Sequence, residues 1–399
     1  MKDSSKSKEY LIVAGDFVRT GGMDRANLAL AEYLAKNSPS GSKIHLLGHR
    51  FSESLRKFPN IQNHSVPKPL NSNWLGEPLL NHGSQSFIRK IRQNHDPCVI
   101  VNGGNSLSKL CSINWVHYVH AAWQPSFMKV PKRSVLSDFK NRISQNTSLR
   151  HERIAFTQAP LIIANSNLTK SHISNLYQID PARIQVVYYG TDQNEFTPVT
   201  ILERESARCD LKIERNRPVV VFVGALGDSR KGFDILYDAW KILARKSDWD
   251  ALLLVVGTGK LVSYYQELQR SGCCSQSIRF IGFRKDVCQI LAGSDLLVSP
   301  TRYEAYGLNV HEALCRNIPV LVSESAGVAE RLFLGDSQAD AHDMTLPVGI
   351  DATDLADKLI YWRENQTQYS VKAARYGQML RENSWDTQMK SLISYHHII

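Results

Sequence analysis

Two adjacent basic residues, Arg230 and Lys231, occupy a position in the sequence where positive charge is unusual. They follow a glycine-bearing loop and stand where the apolar pattern predicts that a helix begins. Basic side chains are disfavoured at a helix N-terminus because the macrodipole is positive there. An anionic ligand would remove this conflict, since Lys and Arg can bind phosphate directly. The pair therefore indicates either a phosphate-binding site or two solvated cations at a surface turn.

Two carboxylates further along the chain have the spacing of a second candidate site. Glu304 lies in a polar loop just before a predicted helix, and Glu312 lies inside that helix on an otherwise apolar face with Leu308 and Cys315. An ionised carboxylate on a core-facing stripe is unfavourable unless something hydrogen-bonds it. A sugar diol would do so, as it does for the acidic residue of dinucleotide sites. The pattern predicts a polyol ligand for Glu312, with a structural salt bridge as the alternative.

A third candidate lies near the start of the chain, where Gly21 and Gly22 follow the first predicted strand and open a helix. Two glycines let the backbone approach a ligand closely, and the N-terminus of a helix attracts anions. The same pair of residues also suits an ordinary turn. The sequence leaves both interpretations open.

These candidates must be held by the elements around them, and the chain alternates short β-branched runs with longer amphipathic stretches. That alternation is typical of an α/β fold, a parallel sheet with crossover helices. In the first half it predicts helices and strands as follows: strands at 10–14, 43–47, 98–101, 113–119, 161–164 and 184–189, and helices at 26–36, 84–93 and 168–177. The second half repeats the pattern: strands at 219–223, 252–256, 278–281, 296–299 and 320–322, and helices at 231–246, 261–271, 285–292, 308–316 and 326–332.

Between residues 194 and 217 the alternation breaks into a polar, charged stretch that contains Pro198. We therefore predict two domains, residues 1–195 and 196–383, each a Rossmann-like, doubly wound unit. A chain of 399 residues is long enough to bury two cores. In open parallel sheets, ligands bind beyond the carboxyl ends of the strands, which is where the candidate residues fall.

Net charge is unevenly distributed between the two halves. Residues 1–195 contain 24 Lys and Arg against 13 Asp and Glu, a net charge of +11. Residues 196–399 contain 24 against 25, a net charge of −1, and the whole chain carries +10. An acidic partner should therefore meet the first half: a nucleic acid, an anionic membrane surface or a phosphorylated acceptor. No helix-turn-helix, zinc-finger or RNP pattern is present, which argues against nucleic acid.

The remaining composition is that of a globular protein, with 43% hydrophobic and 22% charged residues. No apolar run approaches the roughly 20 residues needed to cross a bilayer, and the polar N-terminus lacks the apolar stretch of a signal peptide. Seven scattered cysteines without a C-x-x-C motif suggest neither a disulfide framework nor a zinc site. We expect a cytoplasmic protein.

A basic segment at residues 129–153 offers another place for an anionic partner. Apolar residues fall at helical spacings on one side and basic residues surround them: Val135, Leu136, Phe139 and Ile143 with Lys132, Lys140 and Arg142. That pattern suits a helix lying on an anionic bilayer, at the inner face of the plasma membrane. An ordinary helix with a solvated basic face is the alternative.

The two carboxylates, spaced E-x7-E with Gly-Leu between them, look like the corresponding element of the retaining glycosyltransferases of family 4, which have the GT-B fold. Further segments resemble other elements of this family in the same order: Gly21-Gly22 with Arg25, then 187–192, 196–198, 255–259, 280–283 and 317–320. The resemblance covers nearly the whole chain. It implies two Rossmann-like domains with parallel sheets facing across a cleft, and a terminal segment, residues 384–399, that packs back on the first domain.

The resemblance also implies a role for each matched residue, with the first domain binding the acceptor and the second the donor. Catalytic roles fall to Lys231, Glu304 and His120, with His117 as an alternative at the same strand end; a structural histidine is the alternative for either. Donor-binding roles fall to a larger set: Arg230 and Lys231 with the amides of Leu308 and Asn309 for the diphosphate, Glu312 for the ribose, Phe283 and Arg284 for the base, Glu304 with the amides of Ala305, Tyr306 and Gly307 for the sugar, and Gly22 from the glycine loop.

The implied activity is transfer of a hexose from a nucleoside-diphosphate sugar, with retention, to a hydroxyl of a saccharide or lipid-linked oligosaccharide in polysaccharide biosynthesis. UDP-glucose is the first expectation for the donor and GDP-mannose the second. Two cations and no Asp-x-Asp at a strand end predict catalysis without a metal or other cofactor. The alternatives are a nucleotide-sugar-binding protein without transfer and a same-fold epimerase; Lys231, Glu304 and Glu312 together favour transfer.

Four positions depart from the family pattern, one of them Asn317, which stands at a usual glycine and is compatible with a left-handed turn residue. Ala225 stands where the family often has Arg, although some relatives place the second cation as Arg230 is placed. Ala305 replaces a usual glycine and Tyr306 a usual phenylalanine, and both changes affect the expected sugar pocket.

Overall fold

The computed structural model describes residues 7–123, 135–272, 274, 276–333 and 338–396. It divides the chain into two compact units, with boundaries after Tyr189 and after Ser384. The first boundary comes slightly earlier than the one expected from the polar stretch. The reason is local: the backbone N–H of Thr191 donates to the carbonyl of Asn383 at 2.9 Å, so this segment already belongs to the second unit.

The first unit contains a seven-stranded parallel sheet in the order β5-β3-β1-β6-β7-β8-β9, beside a two-stranded pair, β2 and β4. The strands are β1 (Glu9–Val13), β2 (Asp16–Phe17), β3 (Lys43–Gly48), β4 (Arg50–Phe51), β5 (Ile61–Ser65), β6 (Cys98–Val101), β7 (Ile113–Val116), β8 (Leu161–Ala164) and β9 (Ile184–Val186). All six predicted strands are present. The edge strand β5 was not predicted because its sequence, IQNHS, is mostly polar.

The helices that follow these strands cover the sheet: α1 (Gly22–Asn37), α2 (Asn73–Ile91), α3 (Val135–Gln158) and α4 (Asn167–Tyr177). The predicted start of α2 was wrong by more than two turns because Gly76 and Pro78, both poor helix formers, lie inside it. Central strands such as β6 are buried along their whole length. Burial on both faces explains why their sequences are continuous apolar runs rather than alternating ones.

The second unit contains a six-stranded parallel sheet in the order β12-β11-β10-β13-β14-β15. Its strands are β10 (Val219–Val223), β11 (Leu252–Val256), β12 (Ile278–Gly282), β13 (Leu296–Ser299), β14 (Val320–Ser323) and β15 (Thr345–Leu346). The five predicted strands are all present. Only the two-residue β15 was missed, since so short a run carries no pattern.

Eight helices are described in the second unit: α5 (Ile201–Asp210), α6 (Phe233–Leu243), α7 (Val262–Ser271), α8 (Val287–Ala292), α9 (Leu308–Cys315), α10 (Gln338–Met344), α11 (Ala352–Glu364) and α12 (Gln366–Arg381). Two predictions need correction. The helix expected over 326–332 is a 3-10 helix, Gly327–Phe333. The helix expected to begin at 231 begins at Phe233, because Gly232 has a left-handed backbone, with φ of 66°, that interrupts it.

The last helix, α13 (Trp385–His396), belongs to the first unit, where it packs against α1. The ring of Trp385 lies 5.5 Å from that of Tyr189, so the two residues flanking the second unit in sequence meet in the first. Within the described residues, no helix is both long and apolar enough to cross a membrane.

Candidate functional site

The loops that follow β10 and β13, two adjacent strands, are joined by hydrogen bonds at the carboxyl edge of the second sheet. Both the hydroxyl of Thr301 and the backbone N–H of Arg302 donate to the carbonyl of Arg230, each at 2.6 Å. The Arg302 guanidinium also forms two hydrogen bonds to Asp234, at 2.8 and 2.7 Å. A bidentate Arg–carboxylate pair is geometrically specific, so Arg302 fixes one loop relative to the other. Sequence reasoning did not find Thr301, Arg302 or Asp234.

Gly232 allows these loops to approach. A Cβ at this position would lie 1.8 Å from the carbonyl oxygen of Pro300, and its φ of 66° is itself a conformation that other residues rarely adopt. The close approach places the Lys231 ammonium in an ion pair with the Glu304 carboxylate. The two side chains are about four-fifths buried. Two residues predicted to act together in catalysis therefore meet, although they are 73 positions apart.

Arg230 has a different environment from Lys231. Its guanidinium forms an ion pair with Asp228, whose carboxylate also accepts from the backbone N–H of Arg230 at 3.1 Å. Burial opposes ionisation of Asp228, but the hydrogen bonds and charge of Arg230 outweigh it and lower the pKa of this carboxyl. Both cations lie in the 3-10 turn Ser229–Lys231, before α6 rather than on it. Each cation is paired with a carboxylate, Asp228 or Glu304, and these pairs offset the repulsion expected at the N-terminus of α6.

The segment from Glu304 to Gly307 is braced on its other side by the loop after β14. The N–H of Glu304 donates to Ser325, its carbonyl accepts from Gly327 at 3.0 Å, and the carbonyl of Tyr306 accepts from Val328 at 2.7 Å. Ala305 and Tyr306 are buried. These hydrogen bonds hold the backbone of the segment whose amides are predicted to contact the sugar.

Helix α9 begins immediately after Gly307, whose φ is 105° and which provides no side-chain cap. The first backbone N–H groups of a helix lack intrahelical partners, so Leu308 and Asn309 can contribute to an anion site. The side-chain amide of Asn309 donates to the carbonyl of Val223 at 3.1 Å, which fixes this end of α9 to the end of β10. Glu312 is 8% exposed on the same helix. Its binding of ribose stays a prediction.

Phe283 and Arg284 lie in the loop after β12, at the same carboxyl edge of the sheet. Phe283 is exposed, and Arg284 pairs with Asp286, with Nε 2.8 Å from the carboxylate. This pairing, through hydrogen bonding first, raises the pKa of Arg284 and lowers that of Asp286. The predicted donor-binding residues of the second unit thus lie in loops that follow its strands or, for Leu308, Asn309 and Glu312, in helix α9.

His120, in the first unit, begins a 3-10 turn shortly after β7 and is held by Glu152 of α3. Its ring Nδ1 lies 2.6 Å from one carboxylate oxygen, and its backbone N–H donates to both oxygens at 2.9 and 3.0 Å. The Tyr177 hydroxyl donates to the same carboxylate, which is 2% exposed. These contacts favour the tautomer with the proton on Nδ1. The sequence carried no signal for Glu152, which appears there only as one acid in a basic segment.

His117 is a structural histidine. It is buried, its Nδ1 lies 2.6 Å from the Tyr189 hydroxyl, and its ring packs 4.4 Å from that of Trp115. Burial lowers its pKa to about 3, so the ring is neutral. Between the two histidines that the sequence offered, only His120 has a side chain open to a ligand, with 42% exposed.

The glycine loop of the first unit lies beyond the carboxyl end of β1. Gly21 has a φ of 92° and Gly22 is the first residue of α1. Nearby, Arg50 binds Asp16 through two hydrogen bonds, at 3.0 and 2.8 Å. Burial, with the charge of Asp16, raises the pKa of Asp24 to about 7. Anion binding by Gly22 stays a prediction.

The basic segment at 129–153 is described only in part. Its backbone is helical from Val135, within α3, and Ile143 is exposed. The side chains that carry the membrane prediction lie outside the described residues: Lys132, Val135, Leu136, Phe139, Lys140 and Arg142. Membrane contact therefore stays a prediction.

Two family models match the chain and together span most of it. The model described as Glycosyltransferase Family 4 matches residues 20–195, and that described as Glycosyl transferases group 1 matches residues 217–365. The boundary between the two matches falls in the polar stretch that separates the predicted domains.

Curated relatives share about a quarter of their residues with this chain. The D-inositol 3-phosphate glycosyltransferase of Corynebacterium urealyticum is 26% identical over 294 residues, 72% of this chain and 66% of the relative. The mannosylfructose-phosphate synthase of Agrobacterium fabrum is 24% identical over 243 residues, 58% and 53% of the two chains. The matched region thus spans less than two thirds of either relative.

Solved structures match over nearly the full length. WaaG, a glycosyltransferase involved in lipopolysaccharide biosynthesis, has a TM-score of 0.73 at 18% identity and covers 96% of this chain and 98% of its own. Anabaena HepE in complex with UDP-glucose has a TM-score of 0.69 at 18% identity, over 98% and 100%. The sucrose-phosphate synthase of Thermosynechococcus elongatus has a TM-score of 0.73 at 16% identity, over 98% of both chains. At such identities the similarity shows a common fold, two units each built on a parallel sheet.

Proposed function

Because the chain belongs to the family 4-type glycosyltransferases with the GT-B fold, we propose that it transfers a hexose from a nucleoside-diphosphate sugar to an acceptor hydroxyl with retention of anomeric configuration. The observation that carries this proposal is the pairing of Lys231 with Glu304 at the carboxyl edge of the second sheet, beside the start of α9. A cation and a hydroxyl-binding carboxylate are needed together where a diphosphate is attached to a sugar.

The charged groups divide the chemistry between them. Negative charge develops on the departing diphosphate in the transition state, and a fixed cation such as the Lys231 ammonium stabilises it there. Glu304 accepts hydrogen bonds from the sugar hydroxyls, and the N–H groups at Leu308 and Asn309 add positive potential on the phosphate side. Until the donor arrives, Lys231 and Glu304 satisfy each other, so neither is a solitary buried charge.

We propose UDP-glucose as the donor, with GDP-mannose second. Support comes from HepE, whose structure holds UDP-glucose and whose fold this chain shares. Phe283 and Arg284 are proposed to read the base, and Glu312 to bind the ribose. Arg230, already neutralised by Asp228, is proposed to contribute less to the phosphate charge than Lys231.

The proposed acceptor carries a phosphate or pyrophosphate, either on a small sugar or polyol or on a lipid-linked oligosaccharide of polysaccharide assembly. The net charge of +11 over residues 1–195, most of which belong to the first unit, favours such an anion. Two curated relatives are named for phosphorylated substrates or products, D-inositol 3-phosphate and mannosylfructose phosphate. The lipid-linked version further requires peripheral contact with an anionic membrane.

Release of UDP from UDP-glucose, with and without candidate acceptors, tests the proposal. Lys231→Ala should reduce turnover on the order of 100-fold, the usual effect of removing one transition-state donor. Lys246→Ala is the matched control, since this exposed lysine follows α6 at the opposite edge of the sheet. A Lys231→Ala enzyme within about threefold of the parent would refute the leaving-group role.

Product analysis separates transfer from the alternatives. Retention gives an α-linked product from the α-linked donor, which the anomeric coupling constant in an NMR spectrum identifies. An epimerised free sugar without transfer would identify an epimerase, and tight UDP-glucose binding without any product would identify a binding protein.

A further inference from the structure

A buried chain of hydrogen bonds crosses helix α9 at His311. The Tyr306 hydroxyl lies 2.8 Å from His311 Nδ1, and His311 Nε2 lies 2.7 Å from the Thr191 hydroxyl. The Thr191 hydroxyl in turn donates to the carbonyl of Leu380 at 3.0 Å. Tyr306, Thr191 and His311 are each at most 3% exposed. These hydrogen bonds join the loop from Glu304 to Gly307, called the sugar loop below, to two segments far away in sequence.

The direction of each hydrogen bond can be worked out from the last acceptor, the carbonyl of Leu380. A carbonyl only accepts, so the single Thr191 proton points at Leu380 and the Thr191 oxygen accepts from His311 Nε2–H. Burial, with a smaller effect of Arg331, lowers the pKa of His311 to about 3, so the ring is neutral and Nδ1 carries no proton. Nδ1 therefore accepts from the Tyr306 hydroxyl. The Thr191 oxygen also lies 3.4 Å from Cys315 Sγ, and with the Thr191 proton directed at Leu380 the thiol is the donor in that contact.

One end of this chain lies where the polypeptide enters and leaves the second unit. Thr191 follows the first boundary by two residues, and its backbone pairs with Asn383 and Ser384, which precede the second. Gln193 adds a hydrogen bond to the carbonyl of Arg381 at 2.6 Å. The entering and leaving segments are thus held together, and Thr191 is the residue through which they contact His311.

Helix α12 fixes the C-terminal end of α9 to the same place. A Cβ at Gly377 would lie 2.1 Å from the carbonyl oxygen of Leu314, so the two helices pack in backbone contact. Arg381 donates to the carbonyl of Cys315 at 2.6 Å, which satisfies a terminal carbonyl of α9. The other end of α9 begins at the sugar loop. Helix α9 therefore connects the segments where the polypeptide enters and leaves the second unit with the loop that carries Glu304.

We infer that His311 is a positioning residue for the donor site. It holds the Tyr306 side chain, and with it the loop from Glu304 to Gly307, in a fixed position relative to Thr191, where the polypeptide enters the second unit. The donor to His311 is the hydroxyl of Tyr306, which a phenylalanine at this position would lack. An apolar pair could fill the same volume in several rotamers, whereas a satisfied polar network specifies one. The inference rests on the proposed function.

The experiment compares variants that each remove one hydroxyl while keeping shape. Thr191→Val and Tyr306→Phe are made singly and together, with His311→Leu, and with Thr191→Ser as the conservative variant that retains the hydroxyl. Tyr369→Phe is the matched control, because it removes another buried hydroxyl of this unit, one bound to the carbonyl of Asp343 at 2.8 Å. For each protein, kcat and KM for UDP release from UDP-glucose are measured, together with the Kd of UDP alone.

We expect Thr191→Val and Tyr306→Phe each to lower kcat about tenfold, as when a buried hydrogen bond loses one partner. The Kd of UDP should stay within about twofold of that of the parent protein, since the hydrogen bonds through His311 position the sugar loop and not the nucleotide. The double variant and His311→Leu should be no worse than the more impaired single variant. Thr191→Ser should restore kcat, and Tyr369→Phe should leave it unchanged.

The inference would be overturned if the loss of kcat in the double variant equalled the product of the losses in the two single variants. Independent packing defects have multiplicative effects, whereas a second substitution in one connected set of hydrogen bonds adds little. Equal losses in Thr191→Ser and Thr191→Val, or equal changes in kcat and UDP affinity, would also overturn it. The proposed function fails separately, and visibly, if the unmodified protein neither binds UDP nor turns over any nucleoside-diphosphate sugar.

Discussion

Glu152 offers a sharp test of how the first unit prepares His120, because its carboxylate is 2% exposed and accepts several hydrogen bonds at once. Replacing it by Gln keeps the size and removes the charge. An amide has one oxygen and two N–H donors, so it cannot accept from the His120 backbone, the His120 ring and the Tyr177 hydroxyl together. With the His120 proton on Nδ1, Glu152→Gln would therefore leave one donor facing another donor, and a change of the ring tautomer relieves this conflict.

The magnitude follows from the contacts. A hydrogen bond to a charged group contributes about 1.5–3 kcal/mol, so Glu152→Gln should lower the free energy of unfolding by roughly that amount. Tyr177→Phe removes one donor to the same carboxylate and leaves the His120 contacts, and should lower it by only about 1 kcal/mol. In Glu152→Gln the new amide donates to His120 Nδ1, which moves the ring proton to Nε2.

Two measurements check this reasoning. Denaturant unfolding ranks the stabilities of the two variants, and 15N chemical shifts of the imidazole report which ring nitrogen carries the proton. Transfer activity should fall with the tautomer change in Glu152→Gln and stay close to that of the parent in Tyr177→Phe. An unchanged unfolding midpoint in Glu152→Gln, or an Nδ1 proton retained in that variant, would refute the role assigned to Glu152.

Three further predictions concern pH, metal and membrane. The pKa of Asp24 is raised to about 7 from an ordinary value near 4, so its carboxyl resists ionisation in the native protein. The contribution of Asp24 to stability should therefore fall as pH rises from about 4 to 7. Thermal unfolding should show that Asp24→Asn stabilises the protein more at pH 8 than at pH 4. UDP release should persist in excess EDTA, and abolition by EDTA with rescue by Mn2+ would contradict the proposed mechanism. Anionic but not neutral liposomes should bind the protein, with binding lost at high salt and weakened when Lys132, Arg133 and Lys140 become Glu; equal flotation of parent and triple variant would leave an ordinary surface helix.

Local sequence predicted the elements of this fold well because continuous apolar runs, such as β6 and β10, come from strands buried on both faces. The edge strand β5 gave no such signal, since its pairing with β3 depends on the backbone and not on apolar side chains. Helix starts were less predictable for a related reason. Gly232 ends one turn and begins the next helix through a backbone conformation that no side-chain pattern encodes.

In the candidate site, the residue types could be predicted from the sequence, but the partners of those residues could not. Lys231 and Glu304 were recognisable as candidate site residues, but their direct pairing depends on β10 and β13 being neighbours in the sheet. Asp228 and Glu152 were missed because each matters only through the residue it holds. Burial distinguishes His117 from the partly exposed His120, and burial of a strand-end residue cannot be read from a single sequence.

The two ion pairs at the second sheet's edge have a consequence for selectivity. Arg230 with Asp228 and Lys231 with Glu304 leave these four groups electrically balanced. A free anion that captured Lys231 would strand the Glu304 carboxylate in a largely buried position, and a neutral sugar that engaged Glu304 would strand the ammonium. Only a molecule that presents an anion and hydroxyls together satisfies both groups. If the proposed roles are correct, we expect the pair to favour a nucleoside-diphosphate sugar over free phosphate or a free sugar, since each of these satisfies only one of the two groups.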